Sequence, residues 1–397
     1  MTKGIFEGLK VADFTWAAAG PIATKQLADN GATVVKIESF KHPDSIRLGG
    51  PFIDDKPGIN RSGFFADFHS SKLGIGVDMN HAEALEIIRP LIEWADIVAE
   101  SFRPGIMKKW GLDYDSLRKI NPRIIMLSSS LYGADGPWSQ HPGYGAQGAA
   151  LAGIQHMTGW PDMPPAVPKG AYSDSVSPRY ALSALVAALI HREKTGEGQY
   201  VEMSQIEATA QLVAPQLLDL QVTGTEAQRA GNFKPGAILH GVYPCTGDER
   251  WITLECEDET QWEALAALLN DVEGLNAARA QGRDALDGRV AQLTAPMDAF
   301  ELMKACRAAG VPAGVAYKGS DLLEDPILEA RDHFWPLHHE EMGTLKYNGP
   351  AYRHNKTPAK LRSASPRLGE HTDQVLTEIL GFTADDLASF RDRGLLQ

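Results

Sequence analysis

Residues 8–38, GLKVADFTWAAAGPIATKQLADNGATVVKIE, decide the fold. Gly8 to Thr15 is rich enough in apolar residues to form a buried strand. Ala17-Ala18-Ala19-Gly20-Pro21 is a tight turn of small residues, and its proline opens a helix that ends near Gly31. Thr33 to Glu38 supplies the next strand. Strand, helix and strand in that order are the repeating unit of a parallel, doubly wound sheet. A dinucleotide site is one reading of such a unit, because Glu38 stands where a ribose-binding acid belongs. The turn lacks G-x-G-x-x-G, however, and Pro21 occupies a place where amides should cradle a pyrophosphate. Nicotinamide binding is therefore the weaker alternative.

Outward from this unit the alternation continues. Residues 41–71 read as a long loop, of the kind that is functional or wraps a partner. A strand runs from Ser71-Lys72 through Val77, an amphipathic helix from His81 to Trp94, and a short strand from Ala95 to Ala99. Residues 111–138 are helix, strand and glycine-rich turn. The strongest helix signal lies within residues 169–205, where Ala181, Leu182, Leu185, Val186, Leu189 and Ile190 fall on one face. Ser177-Pro178 is read as its start and Lys194-Thr195-Gly196 as its stop. Asp174 then precedes the cap by three residues, beside unpaired amides that tolerate an anion or an oxyanion. Gln199 to Met203 reads as a strand and Gln205 to Thr223 as a second long helix. From Thr225 the texture changes, with spaced glycines, a strand at Trp251–Cys256, a helix at Thr260–Leu269 and alanine-rich helix to Ala309. The expected division is a large domain from 1–224 and 326–397 and a smaller α+β domain from 225–325.

Composition bounds the function. A chain of 397 residues exceeds one ordinary core. No apolar run approaches 18 residues, and MTKGIFEGLK lacks the apolar stretch of a signal peptide, so a cytoplasmic protein is expected. Cys245, Cys256 and Cys306 are an odd count without metal-ligand spacing and read as reduced thiols. A net charge of −13 argues against general nucleic-acid or anionic-membrane binding, while leaving room for one polyanion held by local cations. His338-His339-Glu340-Glu341 is no metal site on this reading, because adjacent side chains on a strand point opposite ways.

Several strings occur in a telling order. They are D-F-T-x-x-x-A-G-P with G-A-x-V-x-K-I-E at the start, and S-F-R-P-G at 101–105. Next come S-D-x-x-x-P at 173–178, A-L-I-H-R-E-K-T-G-E-G-Q-Y-V-E-M-S at 188–204, G-V-P-A-G-V at 310–315 and P-R-L-G-E-H-T at 366–372. Together they resemble the class III CoA-transferases, a family that also contains 2-methylacyl-CoA racemases, from Gly8 to Leu396. Two departures stand out: His69-Ser70-Ser71-Lys72 replaces an asparagine-rich N-x-x-K, and Ser101 replaces an asparagine.

The resemblance implies a Rossmann-like large domain built from both chain ends, a small middle domain and an interlocked dimer, with a second copy or a paralogue as partner. It implies Asp174 as nucleophile, forming a mixed anhydride and then an aspartyl-CoA thioester. Trp16, Ala17, Ala18, Lys72, Ser101, Phe102, Arg103 and Tyr144 would contact CoA, with Lys72, Arg103 and Arg47 as phosphate ligands. CoA thioester is substrate here, and no permanently bound cofactor is expected. A succinyl-type donor and a carboxylic acceptor, such as the aryl dicarboxylate benzylsuccinate, fit the overall resemblance. Trp16, Met157 and Trp160 serve either an acyl pocket or the core. Two alternatives remain: a racemase on the same scaffold, and a non-catalytic subunit of a heteromeric transferase. The racemase branch carries a histidine and an acid side by side where this chain has Tyr144 and Gly145, and His141 is out of register, which favours the transferase.

Overall fold

The computed structural model describes residues 3–168 and 170–396. The chain forms two compact units, Met1–Ile154 with Val167–Glu226 and Ile327–Gln397, and Gln155–Ala166 with Ala227–Pro326. Residues 155–166, read from the sequence as part of the large domain, thus join the smaller unit. Trp160 belongs there, with Gly231 packed on its ring so closely that a Cβ would lie 2.3 Å from it.

The larger unit is built on six parallel strands: β1 Lys10–Phe14, β2 Thr33–Glu38, β3 Leu73–Gly76, β4 Ile97–Glu100, β5 Ile125–Ser130 and β6 Tyr200–Ser204. Their spatial order is β3-β2-β1-β4-β5-β6. The order reverses between β1 and β4, and open parallel sheets bind ligands outside the carboxyl ends of the strands at such a point. Successive side chains of β1 serve opposite faces. Ala12 and Phe14 join Ile87, Leu91, Leu376 and Phe390 in one core, whereas Val11 joins Leu27, Ala181 and Leu185 in the other. The C-terminal segment completes the first core, and Asp78 N donates to Leu395 O.

Three local readings change. The long helix spans Tyr172–Thr195, so Pro178 lies inside it and Asp174 sits in its first turn. Tertiary hydrogen bonds of the buried Ser173 extend the helix past the proline. Loop 41–71 contains a 3-10 turn at Ser45–Leu48 and a short helix at Gly63–Phe68. The second long helix is broken into Gln205–Ala210 and Ala214–Thr223 by a 3-10 turn.

In the smaller unit, β7 Leu239–Pro244, β8 Trp251–Cys256 and β9 Ala313–Val315 make an antiparallel sheet. Helices cover it around Trp262, Leu265, Leu286 and Val290, with the three buried cysteines in the same core. Back in the larger unit, β10 Phe334–His339 pairs with β11 Gly343–Asn348 as a hairpin. His339 is buried and the neighbouring His338 exposed, as strand alternation requires. Among the described residues no three or more His, Cys, Asp or Glu side chains are grouped so as to hold a metal ion, and no helix among them is long and apolar enough to cross a membrane.

Candidate active site

A cleft of about 760 Å³ opens in the larger unit where the carboxyl ends of β1, β4 and β5 converge. It is lined by Trp16 to Gly20 after β1, by Ser101 to Pro104 after β4, by Ser129 to Tyr132 at the end of β5, and by Asp174 and Gln205. The volume suits a single organic ligand.

The turn after β1 is held by groups distant in sequence. Ser101 Oγ accepts from Trp16 N at 2.8 Å and donates to Trp16 O at 3.1 Å. Asp44 Oδ1 accepts from Ala17 N at 2.9 Å. Ala17 takes the left-handed conformation with φ of 63°, which a residue with a Cβ adopts only where its surroundings enforce it. Phe102 supports the turn from the side, edge-on to Trp16 at 5.5 Å and to Trp110 at 5.3 Å.

Beneath the turn lies a buried charge network. Lys72 Nζ reaches Asp13 Oδ2 at 2.9 Å, Thr24 Oγ1 at 2.8 Å, Pro21 O at 3.1 Å and His69 Nδ1 at 3.2 Å. Burial draws the Lys72 ammonium down to about 8, against the pull of Asp13. Burial also pushes the Asp13 carboxyl up, but Lys72 and Lys36 outweigh it and hold it below the ordinary range. Arg47 binds Glu38 with two nitrogens, at 2.9 and 2.8 Å. Lys72 and Arg47 are both fully buried and neither lines the cleft. The expectation that they hold phosphates is corrected: their donors are committed inside the fold, those of Lys72 in part to Pro21 of the turn and those of Arg47 to Glu38, Asn60 and Pro366 O. Lys41, His42 and Arg103 line the cleft instead.

Asp174 is half-buried in the first turn of its helix, where an acid is favoured by the helix dipole. Burial raises its carboxyl to about 6, and the Gln205 carboxamide draws it partly back. Gly145 begins the helix Gly145–Leu151 against this carboxyl; a Cβ there would lie 2.4 Å from Asp174 Oδ2 and 2.7 Å from Ala171 Cβ. Packing, not backbone conformation, demands this glycine. Tyr144 is exposed beside it, and Tyr132 stands 6.2 Å from the ring of His141.

Of the residues expected from sequence, Trp16, Ala17, Ala18, Ser101, Phe102, Arg103, Tyr144 and Asp174 share the cleft, and Lys72 does not. Sequence reading missed Gln205, Gly145, Lys41 and His42. Gln205 had a visible signal in its place directly after the last strand of the sheet; Gly145 had none that separates it from a turn glycine.

Comparison with known proteins defines the class. Residues 6–372 match the model of CoA-transferase family III. The chain is 30% identical over 385 residues to the succinyl-CoA–D-citramalate CoA-transferase of Chloroflexus aurantiacus, covering 95% of this chain and 94% of that protein. It is 28% identical to the beta subunit of that organism's succinyl-CoA–L-malate CoA-transferase, covering 98% and 97%. The crystal structure of a CAIB/BAIF family protein from Brucella suis superposes with a TM-score of 0.87 at 29% identity, covering 95% of this chain and all of that one. The chain belongs to CoA-transferase family III, and it is a class III CoA-transferase.

Proposed function

We propose that the cleft moves CoA from a succinyl-type thioester to a free carboxylic acid, with Asp174 as the nucleophile. The observation that carries this is the Asp174 carboxyl itself: it lines a cleft of about 760 Å³, sits in the first turn of a helix, and has no lysine or arginine among the groups that shift it. A carboxylate raised to about 6 is still ionised at neutral pH and is more nucleophilic than one left in the ordinary acidic range. Asp174 attacks the thioester carbonyl, breaking its C–S bond to give a mixed anhydride and CoA thiolate. The thiolate attacks the aspartyl carbonyl and releases the first acid, leaving an aspartyl-CoA thioester. The acceptor acid reverses both steps. An activated acyl bond, thioester or anhydride, is therefore present throughout, and its energy is not lost to hydrolysis.

Trp16, Ala17, Ala18, Ser101, Phe102 and Tyr144 contact the CoA moiety, and Lys41, His42 and Arg103 face its phosphates. The named relatives act with succinyl-CoA on short hydroxylated diacids, which supports a dicarboxylic acceptor here; Tyr132 and His141 on the lining would also suit an aryl member such as benzylsuccinate. The working assembly is a dimer in the cytoplasm, with a second copy or, as the name of the malate relative illustrates, a paralogous subunit. Borohydride or hydroxylamine trapping during turnover with succinyl-CoA should modify Asp174 alone, and Asp174→Ala should abolish CoA transfer. Wild-type turnover in that variant refutes the proposal.

A further inference from the structure

We infer that Gln205 is a second catalytic group, whose carboxamide donates to the oxygen of Asp174 that becomes the oxyanion when CoA thiolate attacks the aspartyl carbonyl. The inference rests on the proposed nucleophilic role of Asp174. Gln205 follows β6 directly, is 9% exposed, and lines the cleft with Asp174. Its orientation is set from behind: Oε1 lies 3.1 Å from the hydroxyl of Ser173, the residue next to Asp174. That hydroxyl also lies 2.9 Å from Gly145 O, and its single proton serves one of the two acceptors at a time. Gln205 O accepts from Thr209 Oγ1 at 2.7 Å, which anchors the backbone. The Asp174 carboxylate only accepts, so the NH2 is the end of the amide that turns to it, which leaves Oε1 toward Ser173.

The chemistry gives that NH2 work at each stage. In the resting enzyme it faces the carboxylate, consistent with the pull Gln205 exerts on the Asp174 carboxyl. After acylation one aspartyl oxygen bridges the anhydride and the other is a carbonyl. As the thiolate sulfur bonds to the aspartyl carbon, the carbonyl electron pair moves to that oxygen. When the pair returns, the bridging C–O bond breaks and the carboxylate of the first acid leaves. The charge thus appears and disappears on an oxygen that Gln205 already faces. A donor fixed before the reaction needs no reorganisation, and such contacts tighten in the transition state.

The test is the half-reaction with succinyl-CoA alone, read by mass spectrometry as CoA bound to Asp174, on the full-length protein. Wild type should accumulate the adduct; if it forms none, the nucleophile reading has failed and not the role of Gln205. Gln205→Leu should form the adduct about 10²-fold or more slowly, with KM for succinyl-CoA within about threefold of wild type and the acidic limb of kcat/KM moved to higher pH. Gln205→Glu keeps the size and an acceptor for Ser173 while replacing the donor, so it should be slow even if Gln205→Leu folds poorly. Adduct formation within about threefold of wild type in either variant overturns the inference.

Discussion

Gly145→Ala adds one methyl group against Asp174 and isolates the demand for space at the site. Ordinary contact begins near 3.4 Å, and the new Cβ would meet Oδ2 at 2.4 Å and Cγ at 2.5 Å. The carboxyl must therefore withdraw by about 1 Å or turn about its χ angles, and Ala171 Cβ, 2.7 Å from the new atom, must give way as well. Overpacking of this sort costs about 1–3 kcal/mol. Part of that is offset, because alanine is better than glycine within a helix by roughly 1 kcal/mol. Melting should fall by a few degrees at most. Turnover should suffer far more, as a misplacement of about 1 Å at a reacting group can cost on the order of 10²-fold. The assays are thermal melting and steady-state CoA transfer on the same preparation. Wild-type kcat in a normally folded Gly145→Ala protein would refute the claim that this glycine makes room for the nucleophile.

Burial raises the Asp174 carboxyl to about 6, so kcat/KM should fall with unit slope as pH drops through about 6, measured with a substrate that does not titrate there. An acid raised in the folded state destabilises it progressively from about pH 4 to pH 6 and constantly above, so Asp174→Asn should raise the melting temperature at pH 8 and lose that gain below pH 4. Lys72→Ala strands the buried Asp13 and should destabilise by about 3–5 kcal/mol, seen in melting. Arg103→Ala should leave melting unchanged and raise KM for acyl-CoA, with the difference shrinking at higher salt; a lowered melting point without a KM change would reverse the assignment. In heavy water CoA should move between acids without deuterium entering the alpha carbon, checked by mass spectrometry; rapid uptake into a 2-methylacyl-CoA without an acceptor acid would favour the racemase.

The sequence by itself determined the elements and the chemistry carried by short strings. Residues 8–38 specify strand, turn, helix and strand, because periodicity and turn residues act within one or two turns of chain. The family was legible because the marker residues keep their order along the chain, and one of those strings carries Asp174, which lines the cleft. Tertiary structure decided what those residues face. Lys72 looked like a phosphate ligand until its partner Asp13, 59 residues away, claimed its charge in the interior. Ser177-Pro178 carried a sound local start signal, yet contacts of Ser173 with Gly145 and with Gln205, 32 residues on, began the helix earlier and moved Asp174 into its first turn. The reversal of strand order between β1 and β4, which opens the cleft, is likewise absent from any local pattern. Propensity and capping are summed over neighbours in sequence, whereas burial, charge pairing and close packing are settled by neighbours in space. The structural part of this site, Lys72, Gly145 and Gln205 above all, is governed by the second kind.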